Sequence, residues 1–257
     1  MKLTFRWYGP GDPVTLEQIR QIPTVSGIVS AVYDVRPGEP WSRESIAALK
    51  REAADCGLAF EVVESVPVPE DIKLGTERAP VLTEHYCETV RRLGEAGIRC
   101  ICYNFMPVFD WMRSDLNRAQ PDGAHALAYD EETVQQMDPL TGELALPGWD
   151  TSYRKEELQS LLRAYQALGE EGLWRNLQTF LEAVIPVAAA AGVCMAVHPD
   201  DPPWSIFGLP RILTNRTNLR RFLDLVPDVH NGLTFCAGSL SAGAHNDVVE
   251  LARKYAS

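Results

Sequence analysis

The sequence predicts an α/β protein whose core is a parallel sheet covered by helices. The first observation behind this is a recurring junction at Cys56-Gly57-Leu58, Ala96-Gly97-Ile98 and Ala191-Gly192-Val193, where a helical stretch stops and a short apolar run begins. Gly past the last helical turn adopts a left-handed conformation without a Cβ clash, so it ends helices at little cost. The second is that apolar strands alternate with stretches of helical spacing, the pattern of βα units. The third is length: 257 residues suit one domain of α/β-barrel size, typically ~250 residues.

Six strands are expected, at 3–8, 27–33, 59–66, 98–106, 193–198 and 232–238. A β-branched run directly after a glycine stop reads as a buried parallel strand. Ser42 is expected to cap the first clear helix, which carries Ile46, Leu49 and Ala53 at helical spacing. A second helix runs through Tyr86, Val90 and Leu93. The longest lies between Lys155 and Ala191, and Pro186 inside it predicts a kink or a new start. Shorter helices follow at 218–226 and 246–255. The interval 107–152 has little periodicity and turn signals such as Pro121-Asp122-Gly123, so it reads as a long loop insertion after the fourth strand. Such a loop leaves the C-terminal end of its strand, the face where active sites of parallel α/β folds gather. No linker composition occurs elsewhere, and 1–257 is expected to form one domain.

Composition narrows the function classes. The 24 Lys+Arg against 35 Asp+Glu leave a net charge of −11, which argues against non-specific nucleic-acid binding. No apolar run is long enough to span a membrane, and the first residues, MKLTFRWY, show no secretory pattern. The six cysteines include no C-x-x-C pair and read as reduced thiols of a cytoplasmic protein.

The strongest chemical candidate is His198, at the last position of the fifth strand, followed by Pro199, Asp200 and Asp201. A strand-end imidazole points into the mouth of the sheet, and the two carboxylates sit where a ligand's hydroxyls are met. The plain alternative is a core histidine beside a rigid loop. Cys236 holds the equivalent place on the next strand, and alone it reads as a small buried hydrophobe. Neighbouring parallel strands end about 5 Å apart. A thiolate and an imidazole at that separation can share one divalent ion, in a mixed set that suits Fe(II), Mn(II) or Zn(II). Two further donors are then required. Tyr103 and Asn104 close the fourth strand, where a phenol and an amide can hydrogen-bond a polyol; a buried Tyr and a loop-capping Asn are the alternative. Arg6 ends the first strand and can clamp a carboxylate or pair with a structural one. His85, His125 and His230 read as surface or capping residues, and His245 carries slightly more weight from its place near the active face. No G-x-G-x-x-G motif follows the first strand, and neither a P-loop nor a G-x-S-x-G elbow is present.

Assembled, these segments resemble mannonate dehydratase, the lyase of hexuronate (glucuronate) catabolism. The matching stretches are MKLTFRWYG at 1–9, LEQIRQIP at 16–23, ESVPVPEDIKLG at 64–75, CYNFMPVFDW at 102–111, HPDDPPWSIFGLPRI at 198–212 and LTFCAGSLSAG at 233–243. The resemblance implies a TIM (β/α)8-type barrel of the xylose-isomerase-like kind, which converts D-mannonate to 2-dehydro-3-deoxy-D-gluconate plus water. It implies Mn(2+) or Fe(2+) as cofactor, with His198 and Cys236 as metal ligands. Arg6, Tyr103, Asn104, Asp200 and Asp201 are then expected to line the substrate pocket. A homo-oligomer, a dimer, acting on a small sugar acid in the cytoplasm is expected, with neither nucleic acid nor membrane as partner. Members of the family continue with two more βα units that carry a further His and Asp ligand and the catalytic His and Tyr. With only about six βα units before Ser257, the barrel is expected to be incomplete at its C-terminus and its catalytic residues to lie beyond that point. A sugar isomerase or epimerase on the same barrel, or an inactive truncated form, are the rival readings.

Overall fold

In the computed structural model of the protein, residues 1–110, 112–137 and 154–256 are described. All six expected strands occur, as β1 (Leu3–Arg6), β2 (Val25–Ser30), β3 (Ala59–Glu64), β4 (Cys100–Tyr103), β7 (Cys194–Val197) and β8 (Asn231–Leu233). They form one sheet in the order β1-β2-β3-β4-β7-β8, and every pairing within it is parallel. Among the described residues β1 and β8 are its two edges. The helices between them are α1 (Leu16–Arg20), α2 (Arg43–Asp55), α3 (Glu70–Leu74), α4 (Ala79–Glu95), α6 (Lys155–Ala191) and α7 (Arg216–Leu225), followed by α8 (Ala237–Ala242) and α9 (Val248–Tyr255). No described helix is long and apolar enough to cross a membrane.

The junction glycines behave as their chemistry requires. Gly57, Gly97 and Gly192 have φ of 73°, 82° and 65°, in the left-handed region that a Cβ disfavours. Each junction then feeds a short strand whose outward residues enter the core. Ile101, Tyr103 and Val197 are fully buried, and the Tyr103 ring meets Phe180 of α6 at 5.8 Å. Phe180 also packs on Tyr86 of α4 at 5.0 Å, edge to face, and on Phe105 at 5.8 Å. This aromatic layer seats α4 and α6 on the sheet. Ser42 caps α2 as expected, its side chain accepting from the Ser45 amide.

Three expectations need correction. Helix α6 runs straight through Pro186, and its non-helical residue is Gly169, with φ 65° and ψ 178°. Packing against α3 and α4 outweighs the one hydrogen bond that proline removes, whereas glycine takes the left-handed turn freely. The sixth strand ends at Leu233 rather than Gly238, because Cys236 caps the short helix α8 by accepting from the Ser239 amide. The interval after β4 is not all loop. It contains an antiparallel hairpin of β5 (Asp115–Ala119) and β6 (His125–Ala128), then α5 (Glu131–Gln136), capped by Asp130. Almost every residue of the hairpin is exposed, so no apolar alternation marks it in the sequence. The rest of that interval, 138–152, lies outside the described residues.

Candidate active site

A cleft of about 910 Å³ opens where the sheet strands end. Its floor comes from the strand termini: Arg6 of β1, Glu64 of β3, Cys102 of β4, His198 after β7 and Cys236 after β8. One wall comes from the hairpin, through Leu127 and Tyr129. Tyr129 and Trp204 meet edge to face at 5.4 Å, and the Trp204 indole N–H donates to the Tyr129 hydroxyl at 3.1 Å. The hairpin is thereby fastened to the loop that follows β7.

His198 continues the strand ladder, its amide donating to the Tyr103 carbonyl at 2.7 Å. Its Nδ1 lies 2.7 Å from the Pro199 carbonyl, so Nδ1 carries the proton and Nε2 is left for the cleft. On the neighbouring strand end, the Thr234 amide donates to the Val197 carbonyl at 2.8 Å and brings Cys236 beside the imidazole. Interaction with the imidazole, assisted by Ser239 and opposed by burial, lowers the Cys236 thiol to about 7. Burial opposes protonation of His198, yet its contacts with Cys236 and Pro199 outweigh this and raise its pKa.

Such a pair of donors fits a divalent cation. An imidazole nitrogen and an easily ionised thiol, side by side at adjacent strand ends, are borderline-soft ligands for Mn(II), Fe(II) or Zn(II). They make half a shell: among the described residues no cluster of three or more His, Cys, Asp or Glu is arranged to hold a metal ion.

The other expected residues divide. Asn104 faces the cleft, its amide nitrogen donating to Asp110 at 2.8 Å while its oxygen accepts from the Met106 amide at 3.3 Å. Arg6 also lines it, held by the Tyr33 hydroxyl at 2.8 Å and Glu64 at 3.5 Å. Asp201 is there too, paired with Arg113 at 3.2 Å. Tyr103 is among the residues that line the cleft, but its ring is fully buried, and Asp200 does not line it. Strand alternation gives Cys102 the cleft side and turns the Tyr103 ring into the helix layer, fully buried on Phe180. Asp200 is only 1% exposed, and its Oδ2 accepts from the Ile212 and Leu213 amides at 2.6 and 3.0 Å. It ties down its own loop, and burial raises its pKa.

Sequence reasoning passed over Glu64, Asp110, Arg113, Tyr129, Trp204 and Ser239, all of which line the cleft. The strand-end argument that found His198 applies equally to Glu64, the last residue of β3. The remaining five sit on loops, the hairpin or α8, where no local pattern marks them.

The family model described as D-mannonate dehydratase (UxuA) matches residues 1–257. Mannonate dehydratase of Streptococcus uberis is 54% identical over 254 residues, covering 99% of this chain and 73% of that protein. The crystal structure of mannonate dehydratase from Streptococcus suis serotype 2 superposes with a TM-score of 0.91 at 47% identity, over 99% of this chain and 69% of that one. D-psicose 3-epimerase from Clostridium cellulolyticum H10 shares the fold, with a TM-score of 0.58 at 12% identity over 99% of this chain and 71% of that one. The chain belongs to the D-mannonate dehydratase family.

Proposed function

We propose that this protein eliminates water from D-mannonate, giving 2-dehydro-3-deoxy-D-gluconate, as a metal-assisted hydro-lyase of hexuronate catabolism. The observation that carries the reading is the His198–Cys236 pair on the floor of the cleft, in a chain matched from end to end by the family model. The reaction removes the C2 proton beside the carboxylate and breaks the C3–O bond. The resulting enol tautomerises to the 2-keto acid, and one water leaves. An ion of Mn(2+) or Fe(2+), held by His198 Nε2 and Cys236 Sγ, would stabilise the negative charge that develops when the C2 proton departs.

The chain's own residues supply binding and orientation. Arg6 and Arg113 place positive charge on the cleft wall of a protein with a net charge of −11, which favours the substrate carboxylate locally. Asn104 offers an amide to the hydroxyls of the polyol chain. Tyr129 and Trp204 close one side with apolar surface, which limits water around the reacting carbons. The six cysteines are unpaired, which supports a reducing, cytoplasmic location; a homodimer completes the proposal, and sedimentation velocity tests it. An isomerase or epimerase reading has behind it fold relatives at 11–14% identity, which speak for the fold alone.

The test is a product assay with D-mannonate on metal-depleted and reloaded protein. The 2-keto acid is expected to form only after Mn(2+) or Fe(2+) is returned. Turnover that survives both chelation and His198→Ala, or a rearranged sugar as product, rejects the reading.

A further inference from the structure

We propose that Asp201 and Ser239 are positioning residues for the Cys236 sulfur rather than substrate ligands. Asp201 sits in the cleft with a 13% exposed side chain, yet both of its oxygens are engaged. Oδ1 accepts from Arg113 at 3.2 Å, and Oδ2 accepts from the Ser239 hydroxyl at 3.0 Å. Ser239 is only 2% exposed. Its amide N–H reaches Cys236 Sγ at 3.5 Å and its Oγ lies 3.1 Å from the same sulfur. A hydroxyl has one proton. With that proton directed to the Asp201 carboxylate, the Ser239 side chain is locked in place: its oxygen can accept only from a protonated Sγ, while the Ser239 amide N–H donates to the sulfur in either form. The sulfur is thereby held by Ser239, through its amide and its anchored side chain.

The four residues come from three parts of the chain. Arg113 precedes β5, Asp201 lies in the loop after β7, Cys236 caps α8 and Ser239 lies within it. Asp201 thus joins the hairpin side of the cleft to the sulfur on its floor. An outer partner of this kind sets the rotamer of the group it supports, and its loss commonly costs 10–100-fold in metal affinity.

The experiment compares Asp201→Ala, Ser239→Ala and the double variant with the unaltered protein. One arm is Co(2+) affinity, read from the thiolate-to-cobalt absorption band; it rests on the metal reading above. The other is the rate of Cys236 alkylation by iodoacetamide in metal-free protein, located by peptide mass spectrometry; it needs no metal. Each single variant is expected to weaken Co(2+) binding about 10–100-fold and to change the alkylation rate. The double variant is expected to be no worse than the worse single one, because both act on one sulfur through one path. Ser239→Thr, which keeps the hydroxyl, is expected to restore both readouts. The proposal is overturned if the losses add, or if Asp201→Ala raises KM for D-mannonate about tenfold or more while Co(2+) binding and alkylation stay unchanged. Failure of the unaltered protein to bind Co(2+) removes the metal reading alone, and the alkylation arm still decides this one. If Asp201→Ala fails to fold by circular dichroism, Asp201→Asn carries the same comparison at equal volume.

Discussion

The two faces of the same few strands follow opposite rules. On the helix side, Ile101, Tyr103, Met195 and Val197 are at most 1% exposed and belong to the hydrophobic core, where Tyr103 packs on Phe180. On the cleft side, Cys102, His198 and Cys236 stand among paired charges and hydrogen-bonded hydroxyls. Period-two alternation places the two environments one residue apart along a strand. The difference teaches that stability and chemistry are separable here: removing a group from one face should leave the other nearly intact.

Four predictions test that separation. The largest effect belongs to Phe180→Ala on the helix side, where a ring fitted against three aromatic neighbours is lost. It is expected to cost about 3–5 kcal/mol of stability in denaturant unfolding, with the specific activity of the folded fraction retained. A parallel loss of kcat in the folded fraction would break the comparison.

His198→Ala on the cleft side is expected to do the reverse. Turnover should fall on the order of 10²–10³-fold, the scale on which removal of one preorganised electrostatic partner acts, while the unfolding midpoint barely moves.

The thiols sharpen the contrast through pH. Burial holds Cys87 and Cys100 at about 11 and Cys102 at about 12, whereas Cys236 is lowered to about 7. The thiolate is the reactive form. In metal-free protein at pH 8 iodoacetamide should therefore modify Cys236 ahead of those three, and the rate should fall as pH drops through about 7. His198→Asn removes the principal stabiliser of the thiolate and should move that inflection upward. Equal labelling of the four thiols at pH 8 would show that the setting of Cys236 beside His198 does not set it apart from the buried thiols.

The smallest effect is expected at the hairpin. Tyr129→Phe removes the acceptor of the Trp204 N–H but keeps the edge-to-face packing. It should cost about 0.5–1.5 kcal/mol, seen as faster proteolysis of the hairpin, with little change in turnover.

Much of this molecule was legible one residue at a time. The glycine junctions, the six parallel strands, the capping Ser42 and the placement of His198 directly after its strand follow from backbone sterics and short-range periodicity, which act over a few neighbouring residues. The full-length motifs that carry the family resemblance also stand in the sequence itself. What the tertiary structure decided is how distant segments meet. Only the packed chain shows that Asp200 is drawn into its own loop by the amides of Ile212 and Leu213, and that Tyr103 is taken by the helix layer. The same holds for Arg113, Asp201 and Ser239, which converge on Cys236 from positions up to 123 residues apart along the chain. Contacts of that range are set by how helices and loops close over the sheet, and no local pattern encodes them.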